Sequence, residues 1–155
     1  VSAALTHTAW MMRGAGVPKG ITADEMTSTV DIYPTLAHLL GFPIDATVDG
    51  VLPRIFGGPG REIACSNSLF PTKPYFLAAR SATHTLFLET EEPVSMDGTV
   101  DLSKAAVAIY PREHEKEKGY EIDDPSLRAF FYPRVRDFLK GIADNGEVFP
   151  LPKEA

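Results

Sequence analysis

Four histidines, one cysteine and a few arginines are the residues of this chain best suited to chemistry. His7 stands in Thr6-His7-Thr8, directly before an apolar run that reads as a core strand. Side chains at the end of a sheet strand can reach a ligand site. A neutral imidazole there could bind a metal ion or hydrogen-bond an anionic oxygen. His38 lies inside a helix and flanks its apolar face, which fits a structural role. His84 falls in an expected hairpin turn and His114 in a charge run, neither with a partner at ligand spacing. Cys65 falls in an expected strand, where a buried, inert thiol is the ordinary outcome. Arg54, Arg61 and Arg80 could serve an anion, and salt bridges at the surface would explain them equally well.

Self-contained catalytic patterns are absent. The chain has no Gly-x-Ser-x-Gly elbow, no phosphate loop ending in Gly-Lys-Ser/Thr, no His-Glu-x-x-His and no paired cysteines for zinc. Glycines cluster between Gly14 and Gly20, without the strand–loop–helix context of a dinucleotide site. Asp31 reads as a helix cap rather than a metal ligand, and Asp49-Gly50 as a turn.

The elements that must position these residues follow from pattern. Ala9 to Arg13 (AWMMR) is apolar on both faces and ends in glycines, which predicts a buried strand leaving a sheet into a loop. Thr27 to Gly41 predicts a short helix. In it Asp31 supplies the cap, Pro34 the first turn, Ile32, Leu36, Leu39 and Leu40 the apolar face, and Gly41 the left-handed stop. Asp45 to Gly60 is loop-like. From Arg61 the chain turns to strand-length runs at Glu62 to Ser66, Tyr75 to Ser81, Thr85 to Glu89 and Ala105 to Tyr110. Thr83-His84 joins two of them. No helix fits between these runs, so they predict an antiparallel meander. Arg112 to Lys118 (REHEKEK) reads as a solvated loop or helix turn. Asp124-Pro125 opens a last helical region carrying Leu127, Phe130, Phe131, Val135, Phe138, Leu139 and Ile142. Pro133 is expected to kink it or to start a second helix, and Asn145-Gly146 to stop it.

Composition sets outer limits. The 155 residues can bury a real core, and 44% hydrophobic with 23% charged residues is ordinary for a globular chain. A net charge of -6 and a pI near 5.2 leave no broad basic surface for nucleic acid or an anionic membrane. One cysteine excludes an internal disulfide framework. No apolar run approaches the ~20 residues of a membrane helix. The opening Val-Ser-Ala-Ala-Leu has no basic stretch before an apolar core and is not expected to be a signal peptide. With no initiating methionine, the expectation is a chain cut from something longer.

From Met12 to Gly58 the residues resemble the sulfatase family of the alkaline-phosphatase-like superfamily. That family carries an apolar strand, a Gly-x-Gly-Val/Ile-x-x-Gly stretch, Val-Asp-Ile-x-Pro-Thr-Leu on a helix, Leu-x-Gly, then Asp-Gly and a closing Gly-Gly. Here the corresponding text is WMMRGAGVPKG, STVDIYPTLAHLLGFP and VDGVLPRIFGG. Asp31, Pro34, Thr35 and Leu36 form its most specific part. Later, FLAARSATHTLFLET is similar to a family strand pair of the type Arg-x-Gly-x-x-Lys. Asp124-Pro125 is similar to an Asp-Pro-x-Glu element, which Ser126-Leu127 does not continue.

The resemblance implies an α/β, alkaline-phosphatase-like parent fold. Residues 1–60 would complete its core with one strand and one helix, and residues 61–155 would form a small antiparallel C-terminal subdomain with a terminal helix, so that the chain itself is α+β. It implies a metal-dependent hydrolase of sulfate esters, of arylsulfatase type, using a divalent ion such as calcium, zinc or manganese. The family nucleophile is a formylglycine made in Cys/Ser-x-Pro-x-Arg. Cys65 is followed by Ser-Asn-Ser, so the nucleophile and most metal ligands would lie in an N-terminal part of the same enzyme, the chain's expected partner. His7 is the one position that could match a metal-binding histidine of phosphatase and phosphodiesterase relatives. Such a parent, acting on phosphate esters, is therefore the alternative. A third reading is a non-catalytic association module, with a free sheet edge at Ala9 to Arg13 favouring pairing or homo-oligomers. In either hydrolase reading the substrate would be a small anionic ester.

Overall fold

The computed structural model describes residues 6–44 and 47–140 of the chain. Its described residues divide into two compact units, one within His7–Ala64 and the other within Cys65–Ala155.

In the His7–Ala64 unit, Ser28 opens a 3-10 turn, Thr29–Asp31, that runs directly into helix α1, Ile32–Leu40. Gly41 ends the helix at φ 72°, a left-handed conformation that glycine adopts without the steric cost of a Cβ. The Phe42 N–H donates to the Ala37 carbonyl at 2.9 Å and the Gly41 N–H to the His38 carbonyl at 3.3 Å. That pair of bonds is the Schellman closure, and the predicted stop is in place. A second 3-10 turn, Arg54–Phe56, interrupts the expected long loop. The Glu25 carboxylate caps it by accepting the Arg54 and Ile55 N–H groups at 2.9 and 3.0 Å.

Expectations fail at the opening run and at the helix of this unit. Residues 9–13 form no strand, and Met11 is 88% exposed. A strand needs a neighbour for its N–H and C=O groups, and no described strand pairs with this run. The helix is also turned the other way from its apolar pattern. Pro34, Thr35 and Ala37 are buried, whereas of the expected apolar face Ile32, Leu36 and Leu40 are exposed and Leu39 is half-buried. The periodicity is helical as read, but the inward side is the one where Pro34 meets Gly50 and Asp31 bonds Val51 and Arg61.

The second unit holds a four-stranded sheet in the order β1-β2-β3-β4, from Ala64–Ser68, Pro74–Arg80, His84–Pro93 and Ala106–Pro111. The strands β2, β3 and β4 pair antiparallel in succession, as the spacing predicted. The first strand starts two residues later than Glu62. The register lines Leu77, Ala79, Leu86, Leu88 and Ile109 along one face, all buried. Helix α2, Pro125–Lys140, adds Phe131, Val135 and Leu139 to the buried set, an i, i+4, i+8 stripe. The Asp124 carboxylate accepts the Ser126 N–H at 2.7 Å and caps its first turn. Pro133 lies inside one continuous helix rather than starting a second. The Arg134 guanidinium donates to the Phe130 carbonyl at 2.7 Å beside the position where proline removes a donor. The expected continuation at Ile142 and the Asn145-Gly146 stop lie outside the described residues, as does the Val1–Leu5 opening. No helix among the described residues is long and apolar enough to cross a membrane.

Tyr75 anchors this core. It is fully buried, and its hydroxyl oxygen accepts from Asn67 Nδ2 at 3.3 Å. Burial pushes its pKa up to about 12, outweighing the Asn67 hydrogen bond. An unfolded tyrosine loses its proton near 10. Between those values the unfolded chain binds fewer protons than the folded one, so stability falls as pH rises. Across pH 9 to 12 the wild type should lose roughly 2–3 kcal/mol more than Tyr75→Phe. Urea midpoints of the two proteins at each pH check this, and equal slopes would rule it out.

Candidate functional site

Asp31 lies at the centre of the His7–Ala64 unit, 1% exposed. Its carboxylate accepts the Ser28 N–H at 2.8 Å, closing the preceding turn, and the Val51 N–H at 2.8 Å from twenty residues further on. Arg61 then clamps it with two donors, Nε at 3.0 Å and Nη2 on the other oxygen, while Nη2 also reaches the Asp49 carbonyl at 3.1 Å. Thr35 Oγ1 donates to the Asp31 carbonyl at 2.7 Å. Asp31 is thus a latch between three stretches of chain, and its side chain does not cap α1 as predicted.

The approach of the Val51 stretch depends on Gly50. A Cβ there would sit 2.1 Å from the Val30 carbonyl oxygen and 2.9 Å from the Pro34 ring. Gly58 is held as closely, with a Cβ position 2.0 Å from the Leu52 carbonyl oxygen. Asp31, Pro34, Thr35, Gly50 and Gly58, singled out above by a resemblance, thus bond and pack closely within this unit.

A second ionic cluster lies on the sheet. Arg80, at the end of β2, pairs in register with Thr85 of β3. Its Nε and Nη2 meet the two carboxylate oxygens of Glu115 at 2.8 and 3.0 Å, and Thr85 Oγ1 donates to the same carboxylate at 2.6 Å. Glu115 belongs to the REHEKEK run, expected to be solvated, yet its side chain is only 11% exposed. Its neighbours behave as expected: Lys116 and Glu117 are half-exposed. The signal that could have found it was Arg80 itself, a cation closing an apolar strand, which requires an anion.

Burial acts to raise the pKa of both carboxylates, and donors reverse it. Hydrogen bonds from Arg61, Val51 and Ser28 bring Asp31 below its ordinary value. Hydrogen bonds from Arg80 and Thr85 do the same for Glu115. Both groups stay ionised at neutral pH with their oxygens occupied. Neither is placed to give or take a proton, and both tie separate stretches of chain together.

The histidines do not converge. His7 is exposed. His38, exposed on α1, faces the Phe56 ring at 6.4 Å. His84 Nδ1 shares a hydrogen bond with Thr83 Oγ1 at 2.8 Å. His114 stacks on Tyr120 at 3.9 Å and meets Glu117 at 3.1 Å. Cys65 is half-buried in β1, less enclosed than expected. Among the described residues no three His, Cys, Asp or Glu side chains gather as metal ligands would. Arg61 and Arg80 are taken by buried or half-buried partners rather than by surface ones. Arg54 is exposed, with Nε on the Pro59 carbonyl at 3.1 Å.

No family model matches the chain. A Caenorhabditis elegans protein named as a candidate extracellular sulfatase Sulf-1 homolog is 42% identical to it over 41 residues. This chain is similar to a sulfatase over that stretch. The stretch makes up 26% of the chain and 6% of the relative, so the chain spans a small fraction of the relative's length.

Proposed function

We propose that this chain is the C-terminal portion of a sulfatase-type, metal-dependent hydrolase of sulfate esters, and that its part is scaffolding rather than chemistry. The observation that carries this reading is the 42% identity over 41 residues to a protein named as a sulfatase. The build of the His7–Ala64 unit supports it, because the resembling residues Asp31, Pro34, Thr35 and Gly50 have a physical reason to occur together.

Ester cleavage at sulfur needs a nucleophile, groups or a metal to hold the oxygens, and protonation of the leaving group. Among the described residues, none is placed for the first or the last of these tasks. Among the described residues the donors do not gather as a metal centre would, and one exposed histidine is not a site. His7 is our candidate for a single metal ligand contributed to a centre whose other ligands lie in the remainder of the enzyme. The exposed apolar side of α1, with Ile32, Leu36 and Leu40, is the surface that would pack against that remainder. The same face favours association as a second reading, in which the chain is a non-catalytic module.

Peptide mass spectrometry of the longer polypeptide tests the sulfatase reading. It should find an aldehyde-bearing formylglycine at the first position of a Cys/Ser-x-Pro-x-Arg motif. An unmodified serine or threonine nucleophile in its place would move the protein to the phosphate-ester branch.

A further inference from the structure

The Arg80 cluster has a division of labour that an ordinary ion pair does not need. Its donors sit on paired strands: Arg80 at the end of β2 and Thr85 at the start of β3 are direct cross-strand neighbours. Its acceptor, Glu115, sits on residues 112–120, which contain one 3-10 turn, Arg112–His114, and otherwise no regular element. The residue after Glu115, Lys116, holds φ 61°, a left-handed conformation unfavourable for a side chain with a Cβ. Its Nζ lies 4.0 Å over the Phe76 ring and 3.6 Å from Glu89, so this strap lies across the face opposite the apolar core. A planar fork and a hydroxyl, fixed on a rigid sheet and converging on two oxygens, is the chemistry of an oxyanion site. Arg112 adds positive field at the same carboxylate.

We propose that Arg80 and Thr85 form an oxyanion cradle, that Glu115 fills it as an internal ligand, and that a free tetrahedral dianion displaces Glu115 and lifts the 112–120 strap. Two charges on the dianion compete with one on the carboxylate. The tether gives Glu115 a high effective concentration, so displacement needs free anion on the order of millimolar or above. The inference stands apart from the sulfatase reading, because it uses only the Cys65–Ala155 unit.

Limited trypsin digestion of the wild-type chain tests it, since Arg112, Lys116 and Lys118 all lie on the strap. At constant ionic strength, sodium chloride is replaced by sodium sulfate, sodium phosphate or sodium acetate. Cleavage after Lys116 and Lys118 should quicken by roughly threefold to tenfold in a dianion and much less in acetate, following the open population. The sulfate and phosphate arms distinguish the two sources of the anion. Sulfate generally tightens folded proteins and slows digestion, so acceleration confined to the strap has the opposite sign to that background. Glu115→Ala should gain a larger thermal shift in sulfate than the wild type, and Thr85→Val in that variant should reduce the gain. Unchanged or slower strap cleavage in both dianions overturns the proposal, whether or not Glu115→Ala folds.

Discussion

Asp31→Ala should unfold the His7–Ala64 unit at far lower denaturant than the wild type, with a loss of about 3–5 kcal/mol. The change removes the acceptor for the Ser28 and Val51 N–H groups and leaves the Arg61 guanidinium, 19% exposed, beside a cavity. Removing one partner of a buried pair costs more than the pair contributes, because the remaining charge stays desolvated. Trp10, the chain's one tryptophan, lies in this unit, so its fluorescence reports unfolding there. The pH dependence has a definite sign. The folded pKa of Asp31 is lowered, so its contribution is complete above the ordinary carboxylate value of 3.8 and is lost as pH falls through the folded value. Acid should therefore destabilise the wild type more steeply than Asp31→Ala. A variant within about 1 kcal/mol of the wild type at pH 7 would refute the latch.

Gly50→Ala should be as damaging, for a different reason. The added methyl would fall 2.1 Å from a backbone oxygen, which cannot rotate away as a side chain can. The backbone must separate, and the Val51 N–H then leaves Asp31. A loss of about 3 kcal/mol or more is expected, at the upper end for overpacking. Gly14 is the control, since a Cβ there meets open space. Denaturant midpoints read by Trp10 fluorescence should separate the two substitutions clearly. Equal midpoints would mean that the Gly50 approach does not constrain the unit.

Local chemistry was legible in the sequence wherever a residue acts on its neighbours. Gly41 and the helix it stops, the antiparallel order of the later strands, and the helix opened by Asp124-Pro125 all follow from short-range rules of capping, turns and strand spacing. What the sequence hid was tertiary. Ile32, Leu36 and Leu40 look like a buried stripe because periodicity reports a face, not which way it turns; Pro34, Thr35 and Ala37 face inward instead. Residues 9–13 look like a core strand because composition cannot supply the neighbour that a strand requires. Glu115 sat unremarked in a charge run because its partner is thirty-five residues away. At the candidate site, residue types were read correctly and their company was not. Asp31, Arg61 and Arg80 were each noticed, and only the fold shows them occupied.

The residues that resemble the sulfatase pattern have mechanical roles in this chain. In Asp-Ile-Tyr-Pro-Thr the carboxylate latches three stretches of chain, the threonine hydroxyl ties α1 to the turn before it, and Pro34 is the surface on which Gly50 rests. A scaffold of this kind predicts that the chain holds no turnover of its own.

Hydrolysis of 4-nitrophenyl sulfate and 4-nitrophenyl phosphate, followed for the 155-residue chain and for the longer polypeptide containing it, tests that claim most directly. The account predicts no turnover by the chain with any divalent ion, and chelator-sensitive cleavage of the sulfate ester by the longer polypeptide. Metal-dependent turnover by the chain alone, or a longer polypeptide that cleaves only the phosphate ester, would contradict it.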